Sequence, residues 1–338
     1  MTSYRAWQVT GSRRFGLVDR DQPAPGPGQV GIKVLACGVC HTDFLAAEGL
    51  MRDRSVPIVP GHEIVGVIDA VGAGVTAWLA GERVGVGYLA GHCGECDSCR
   101  RGDFVSCANQ HQTGTTVDGG YAEYVVARTS GLVRIPPELG SLEAAPLLCA
   151  GLTTFKALQR AGARPGGLVA IQGIGGLGHL GLQYAAKLGY QVAAIARGPD
   201  KAQLAARLGA DHYIDSIAGD PGAALRKLGG ADAIVATAAS GASMSPLVSG
   251  LRPGGRMVVV GAGPDPITVR GSDLIFGTRT VTGSLTGSAI ENEDTLQFSA
   301  RHGIRPMIEA MPLAQAPQAY AHMMSGAARF RVVIDLTA

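Results

Sequence analysis

The chain has 338 residues, 46% of them hydrophobic and 17% charged, a globular balance that excludes a disordered or low-complexity protein. A net charge of +2, with no long basic run, leaves no footprint for a nucleic acid or a membrane surface. The length exceeds what one hydrophobic core usually serves, so two domains are expected. The N-terminus, Met1-Thr-Ser-Tyr-Arg-Ala-Trp7, lacks a charged segment followed by an apolar one, so no secretory signal is expected. No apolar stretch reaches the roughly 18 residues that span a membrane. Seven cysteines in such a chain point to thiolate metal sites rather than a disulfide framework, and to the cytoplasm.

Residues 1 to about 36 alternate apolar and polar positions, broken by proline and glycine. After the turn-rich Pro23-Ala-Pro-Gly-Pro-Gly28, Gln29–Ala36 reads as a strand. Cys37-Gly-Val-Cys40-His-Thr-Asp43 then enters a short helix over Phe44–Glu48, with Thr42 or Asp43 near its cap. Pro57-Ile-Val-Pro-Gly-His62-Glu63 leads into a strand over Ile64–Val71. Arg83–Gly87 is a further strand, and Gly120–Val126 returns to a β pattern. Leu142–Pro146 and Gly151–Ala161 read as helices. From Leu168 the chain alternates. Strands are expected at Leu168–Gln172, Gln191–Ala196, Tyr213–Asp215, Asp232–Thr237, Met257–Val260 and Thr280–Gly283. Helices are expected at Gly178–Leu188, Lys201–Leu208, Ala223–Leu228 and Ser245–Leu251. Such alternation implies a parallel sheet covered on both faces. Helices over Glu293–Arg301 and Ala316–Met324 and a last strand, Arg331–Leu336, form a tail that needs a partner and is expected to rejoin the first domain.

Cys93-Gly-Glu-Cys96-Asp-Ser-Cys99, closed by Cys107, reads C-x2-C-x2-C-x7-C. Four thiols this close can converge on one tetrahedral zinc, and a site with four thiolates has no open position, so it is structural. Gly173-Ile-Gly175-Gly176-Leu177-Gly178 matches G-x-G-x-x-G directly after an apolar strand and at the start of a helix. The glycines permit the tight turn, the approach of a pyrophosphate and helix-on-strand packing, with the helix N-terminus facing the phosphates. The carboxylate that would bind a ribose 2′-OH is missing. Ala196 takes its place, Arg197 follows, and Lys201 lies one helical turn on, a set that favours NADP over NAD. Cys40, His62 and Cys149 remain, with Cys37. Two thiolates and one imidazole would leave a fourth metal position for water or substrate, whereas Cys149 alone could equally be core packing.

Together these motifs resemble the zinc-dependent alcohol dehydrogenases of the medium-chain dehydrogenase/reductase superfamily over essentially the whole chain. The carriers are Cys37–Asp43, Gly61-His62-Glu63, the four-cysteine stretch, Asp118-Gly-Gly-Tyr-Ala-Glu-Tyr124, Cys149-Ala-Gly-Leu-Thr153 and the glycine loop. The resemblance implies an α/β fold, with a GroES-like, mostly β catalytic domain over 1–150 and 286–338. A structural-zinc lobe would occupy about 91–110, and a Rossmann, doubly wound cofactor domain 151–285. It implies two zinc ions per chain, one catalytic on Cys40, His62 and Cys149 and one structural on Cys93, Cys96, Cys99 and Cys107. Glu63 would lie beside the catalytic metal, Asp43 would orient His62, Thr42 would take the alcohol proton, and His41 could carry it on or contact phosphate. Thr153 would sit near the nicotinamide and Arg331 at the pyrophosphate, while Cys37 would be packed and not a ligand. Many relatives end the proton relay on a histidine where this chain has Leu45. The implied reaction is hydride transfer between a primary aliphatic or aromatic alcohol and NADP or NAD, with Lewis-acid activation of the alcohol oxygen. Phe44, Tyr88, His92, Thr116 and Leu285 are candidate substrate-pocket residues. The alternatives are a polyol or amino-alcohol dehydrogenase of the same superfamily and a catalytically silent cofactor-binding regulator. A homo-oligomer, dimer or tetramer, is expected from the same resemblance, with a small-molecule alcohol or aldehyde as the only other partner.

Overall fold

The alternating apolar positions near the N-terminus form a hairpin, β1 (Ser3–Gly11) against β2 (Arg14–Asp21), in the computed structural model, which describes residues 2–50 and 56–338. The chain then lays down β3 (Gln29–Val39), β4 (Glu63–Val71), β5 (Arg83–Val86), β6 (Tyr124–Arg128) and β7 (Leu132–Arg134). Buried helices over Ser141–Pro146 and Leu152–Ala161 flank a π turn, Leu147–Gly151. Six strands follow: β8 (Leu168–Gln172), β9 (Gln191–Ala196), β10 (His212–Asp215), β11 (Ala231–Ala236), β12 (Leu251–Val259) and β13 (Thr280–Gly283). A helix over Ala289–His302, then β14 (Ile308–Pro312), a helix over Ala316–Met324 and β15 (Arg331–Asp335) complete the chain. Two units result, Met1–Leu152 with Thr286–Ala338, and Thr153–Leu285.

The first unit is built on β3. β4 pairs antiparallel along one edge, while β6 takes the first half and β15 the second half of the other. The full order is β14-β15-β3-β4-β5-β7. Registers Gly38↔Glu63 and Val39↔Val332 put the starts of β4 and β15 on either side of the end of β3. Ile32, Ile64, Ile68 and Tyr121 fill the core below, each essentially inaccessible to solvent.

The second unit is an all-parallel sheet, order β10-β9-β8-β11-β12-β13. Every residue of β8 is buried, as a strand covered on both faces requires. The order reverses between β8 and β11, the switch point at which doubly wound sheets bind ligands. Helices over Gly178–Lys187, Ala202–Arg207 and Pro221–Lys227 cover it.

Several elements depart from the sequence reading. The helix expected over Ser245–Leu251 is a 3-10 segment, Ser245–Gly250, after one α turn at Gly241–Met244, and Leu251 already opens β12. That strand is longer than Met257–Val260 because Leu251 pairs with Ala231 before Pro253 and Gly254 bulge out of register. Gly151 ends the π turn instead of starting a helix. β6 begins at Tyr124 instead of Gly120, since the backbone N–H groups of Gly120 and Tyr121 donate to Gly61 and Pro60. Short segments at Asp97–Arg100 and Gly271–Ile275, and strands β7 and β14, have patterns too brief to be read separately. Among the described residues no helix is long and apolar enough to cross a membrane.

At Gly178 an added Cβ would lie 1.7 Å from the Gly173 carbonyl oxygen, backbone against backbone. Gly178→Ala is therefore expected to lower stability by about 1–3 kcal/mol, read from the midpoint of urea unfolding. A wild-type midpoint would show that the turn opens without cost.

Candidate active site

Cys40 follows the end of β3, and His62 immediately precedes Glu63, the first residue of β4, so the register of those two strands draws the three together. Cys149 arrives from the π turn, a geometry that recurs at functional sites. Ligand atoms of Cys40, His62, Glu63 and Cys149 all lie within 4.8 Å of one another, and the two sulfurs are 3.9 Å apart. His62 is fully buried. Its Nδ1 donates to Asp43 Oδ1 at 2.9 Å, while its Nε2 has no hydrogen-bond partner. A buried ring nitrogen left unpaired costs free energy. Beside two thiols, that lone pair completes a Cys2His donor set suited to zinc with one position to spare.

Asp43, itself buried, also accepts from the Cys40 backbone N–H at 3.0 Å and the Tyr121 hydroxyl at 2.9 Å. Tyr121 lies in the Asp118–Tyr124 stretch but carried no assigned role in the sequence; only the fold brings it under Asp43. The Cys40–Cys149 hydrogen bond, with the His62 imidazole beside it, holds Cys40 well below the ordinary thiol range despite burial. The same bond and burial push Cys149 well above that range. Burial lowers His62, but the Asp43 carboxylate and Cys40 outweigh it and carry the imidazole well up. The donor set thus holds labile protons that a cation would displace.

Glu63 and Arg331 form a buried ion pair in the same cluster. Burial pushes Glu63 up to about 8 against the pull of Arg331. Burial would lower Arg331, but Glu63 and then the two thiols raise it instead. Gly38 makes the room: a Cβ there would lie 1.8 Å from Glu63 Oε2. Arg331, expected at a pyrophosphate, is thus almost wholly buried in the first unit with its guanidinium on a carboxylate. Cys37 is buried, its thiol on the Gly38 carbonyl at 3.6 Å and its sulfur in the space that a Cβ of Gly61 or Gly120 would fill.

Thr42 Oγ1 lies 3.7 Å from Cys40 Sγ, and Thr42 caps the helix Asp43–Ala47 without a side-chain bond. His41 is exposed and stacks on Phe44, with ring centroids 6.1 Å apart. Tyr88 meets His62 edge-on at 5.3 Å. His92 instead stacks on Phe104 at 4.1 Å, Thr116 closes a turn by accepting from the Gln112 N–H, and Leu285 is exposed in the second unit.

Cys93, Cys96, Cys99 and Cys107 also gather within 4.8 Å, all as free thiols. Sulfur separations of 3.6 Å (Cys93–Cys107) and 4.0 Å (Cys93–Cys99) are far outside a disulfide. Backbone N–H groups aim at them: those of Glu95 and Cys96 bring Cys93 down to about 6, and those of Cys99 and Ala108 lower Cys96. Burial lifts Cys99 to about 12. A site that stabilises thiolates with amides and offers four sulfurs fits a closed tetrahedral zinc.

In the second unit the C-terminal ends of β8, β9 and β11 enclose a cavity of about 800 Å³ lined by Gly173, Gly175, Gly176, Leu177, Ala196, Arg197 and Lys201. Gly173 has φ +89, and Gly175 has open space where a Cβ would stand, so backbone can approach a pyrophosphate. Lys201 Nζ donates to the Ile174 carbonyl at 2.7 Å, anchoring it to the glycine loop, while Arg197 is exposed at the rim. Thr237, not singled out in the sequence, braces the loop by donating to the Gln172 and Gly173 carbonyls. Its signal was a hydroxyl at the end of a buried strand. Thr153, buried, begins the second unit.

The protein-family model for the alcohol dehydrogenase GroES-like domain matches residues 26–137, and that for the zinc-binding dehydrogenase matches 176–301. The chain is 44% identical to the alcohol dehydrogenase notN of Aspergillus sp. strain MF297-2, over 92% of this chain and 91% of that one. It is similar in structure to a cinnamyl alcohol dehydrogenase of Sorghum bicolor (TM-score 0.89, 33% identity, 100% of this chain and 98% of that one). The structure of CAD from Helicobacter pylori complexed with NADP(H) is also similar (TM-score 0.87, 28% identity, 99% of each chain).

Asp43→Asn removes the charge that orients His62. Zinc affinity at the Cys40, His62 and Cys149 cluster is expected to fall roughly 10- to 100-fold in chelator competition, with the four-cysteine lobe unaffected. Unchanged affinity would show that Asp43 does not set the imidazole.

Proposed function

The chain belongs to the zinc-type alcohol dehydrogenases of the medium-chain dehydrogenase/reductase superfamily, and from that premise we propose that it interconverts a primary aliphatic or aromatic alcohol and its aldehyde with NADP, using two zinc ions per chain. Membership makes it an oxidoreductase of alcohols and aldehydes that uses zinc and a nicotinamide cofactor. It sets aside the silent regulator. We further propose a cytoplasmic homo-oligomer.

Cys40, His62 and Cys149 would hold the working zinc, which when bound supplies a Lewis acid for the alcohol or carbonyl oxygen. The chain's own residues set up the rest. Asp43 fixes the imidazole tautomer so that Nε2 faces the cluster. Arg331 puts a cation beside the two thiolates, and burial pushes Glu63 toward its neutral form, so that the site need not bear the full negative charge in a buried space. Thr42, beside Cys40, is placed to accept the alcohol proton and pass it outward. With Leu45, half-buried three residues after Thr42, unable to carry a proton, the exposed His41 immediately before Thr42 or water takes it to solvent. Tyr88 offers an aromatic wall against His62, suited to an apolar substrate chain.

The single observation that carries the cofactor choice is the end of β9. Ala196 stands where a carboxylate would repel a 2′-phosphate, and Arg197 lines the cavity with its guanidinium exposed. Between Thr153 and Leu285 thirteen lysines and arginines stand against seven aspartates and no glutamate, a balance that also favours a polyanion there.

Steady-state assays with a panel of primary alcohols are expected to give kcat/KM at least about tenfold higher with NADP than with NAD, and Arg197→Ala to bring the two near parity. A wild-type preference for NAD would overturn the cofactor assignment, and turnover confined to polyols would overturn the substrate class.

A further inference from the structure

Arg197 can select a cofactor only if its backbone is held still, and the residues on either side of it are both held by the end of β10. Before it, the Ala196 carbonyl accepts from the Ser216 backbone N–H at 2.9 Å and from Ser216 Oγ at 3.2 Å. After it, the Gly198 N–H donates to Asp215 Oδ1 at 2.8 Å and the Gly198 carbonyl accepts from the Tyr213 hydroxyl at 2.5 Å. Asp215 Oδ1 also accepts the Ile217 N–H at 2.9 Å, which turns the carboxylate toward the backbone. Gly198 has φ +70, a left-handed conformation that other residues enter at a cost, and open space where a Cβ would stand. Partial burial and the neighbouring Asp215 raise the Tyr213 phenol, so it stays protonated and remains the donor.

We infer that Tyr213 is a positioning residue for cofactor choice: its hydroxyl, with Asp215 and Ser216, locks the Ala196-Arg197-Gly198 turn so that the guanidinium is presented ready-made to a 2′-phosphate. This rests on the NADP reading above. The physical reason is preorganisation, since a turn already ordered loses less conformational freedom when it binds. A cofactor with a bare 2′-OH makes no ion pair with Arg197 and gains little from the lock, so its binding should depend little on Tyr213.

The test is the KM and kcat of wild type, Tyr213→Phe and Gly198→Ala with NADPH and with NADH in aldehyde reduction. Tyr213→Phe is expected to raise the KM for NADPH about five- to tenfold, the worth of one hydrogen bond, with kcat unchanged and the KM for NADH moved less than about twofold. Gly198→Ala, which strains the same turn without filling occupied space, is expected to give the same NADPH-selective loss. An equal change with both cofactors, or none with either, would overturn the inference and leave the NADP reading standing. A wild type that prefers NADH would overturn both.

Discussion

The buried carboxylate of Asp43 is the point on which the Cys40, His62 and Cys149 cluster depends. It takes a hydrogen bond from the Cys40 backbone, one from the His62 ring and one from Tyr121, and so ties the end of β3, the start of β4 and the loop before β6 to a single group. A carboxylate with no exposure is stable only when its oxygens are satisfied in this way. In return it fixes which imidazole nitrogen is free. The donor set is therefore built into the core of the unit, with Asp43 and His62 as little exposed as the Ile32 and Ile64 side chains of the same unit.

Charge balance follows from the same placement. Two thiols and the Glu63 carboxylate lie within one small volume, with Arg331 as the answering cation. Arg331 arrives on β15, the last strand of the chain, because β15 pairs with the half of β3 that β6 leaves free. The tail is thus part of the site's electrostatics as well as of the sheet. Gly38 is the small residue that allows it, since any side chain there would collide with Glu63. Removing either partner of a buried pair strands the other charge, which is why such pairs resist piecemeal change.

Much of this was legible in the sequence, and for physical reasons. The βα alternation after Leu168 reports a sheet buried on both faces, and the glycine loop announces itself by sitting between a strand and a helix. The four-cysteine lobe is read from spacing alone, because its donors are close in the chain. Other features were hidden because their causes are not local. The π turn at Leu147–Gly151 is continuous in composition with the helices beside it. The Glu63–Arg331 pair joins residues at opposite ends of the chain, and Tyr121 finds Asp43 only through the fold. Lys201 lines the cavity as its position suggests, and its ammonium also donates to the Ile174 carbonyl, a contact across 27 residues that no local pattern announces. At Ser245–Leu251 apolar spacing suggested a helix, but Pro246 and the pull of β12 left a 3-10 segment.

The division of labour we propose is between two zinc sites, one working and one bracing. The most direct measurement is zinc content alongside turnover and thermal unfolding for Cys40→Ser and Cys96→Ser. Two zinc ions are expected in the wild type. Cys40→Ser is expected to keep one zinc and a near-native fold while losing turnover, and Cys96→Ser to lose stability or assembly. A stable Cys96→Ser protein lacking only activity, or a Cys40→Ser protein that still turns over, would contradict it.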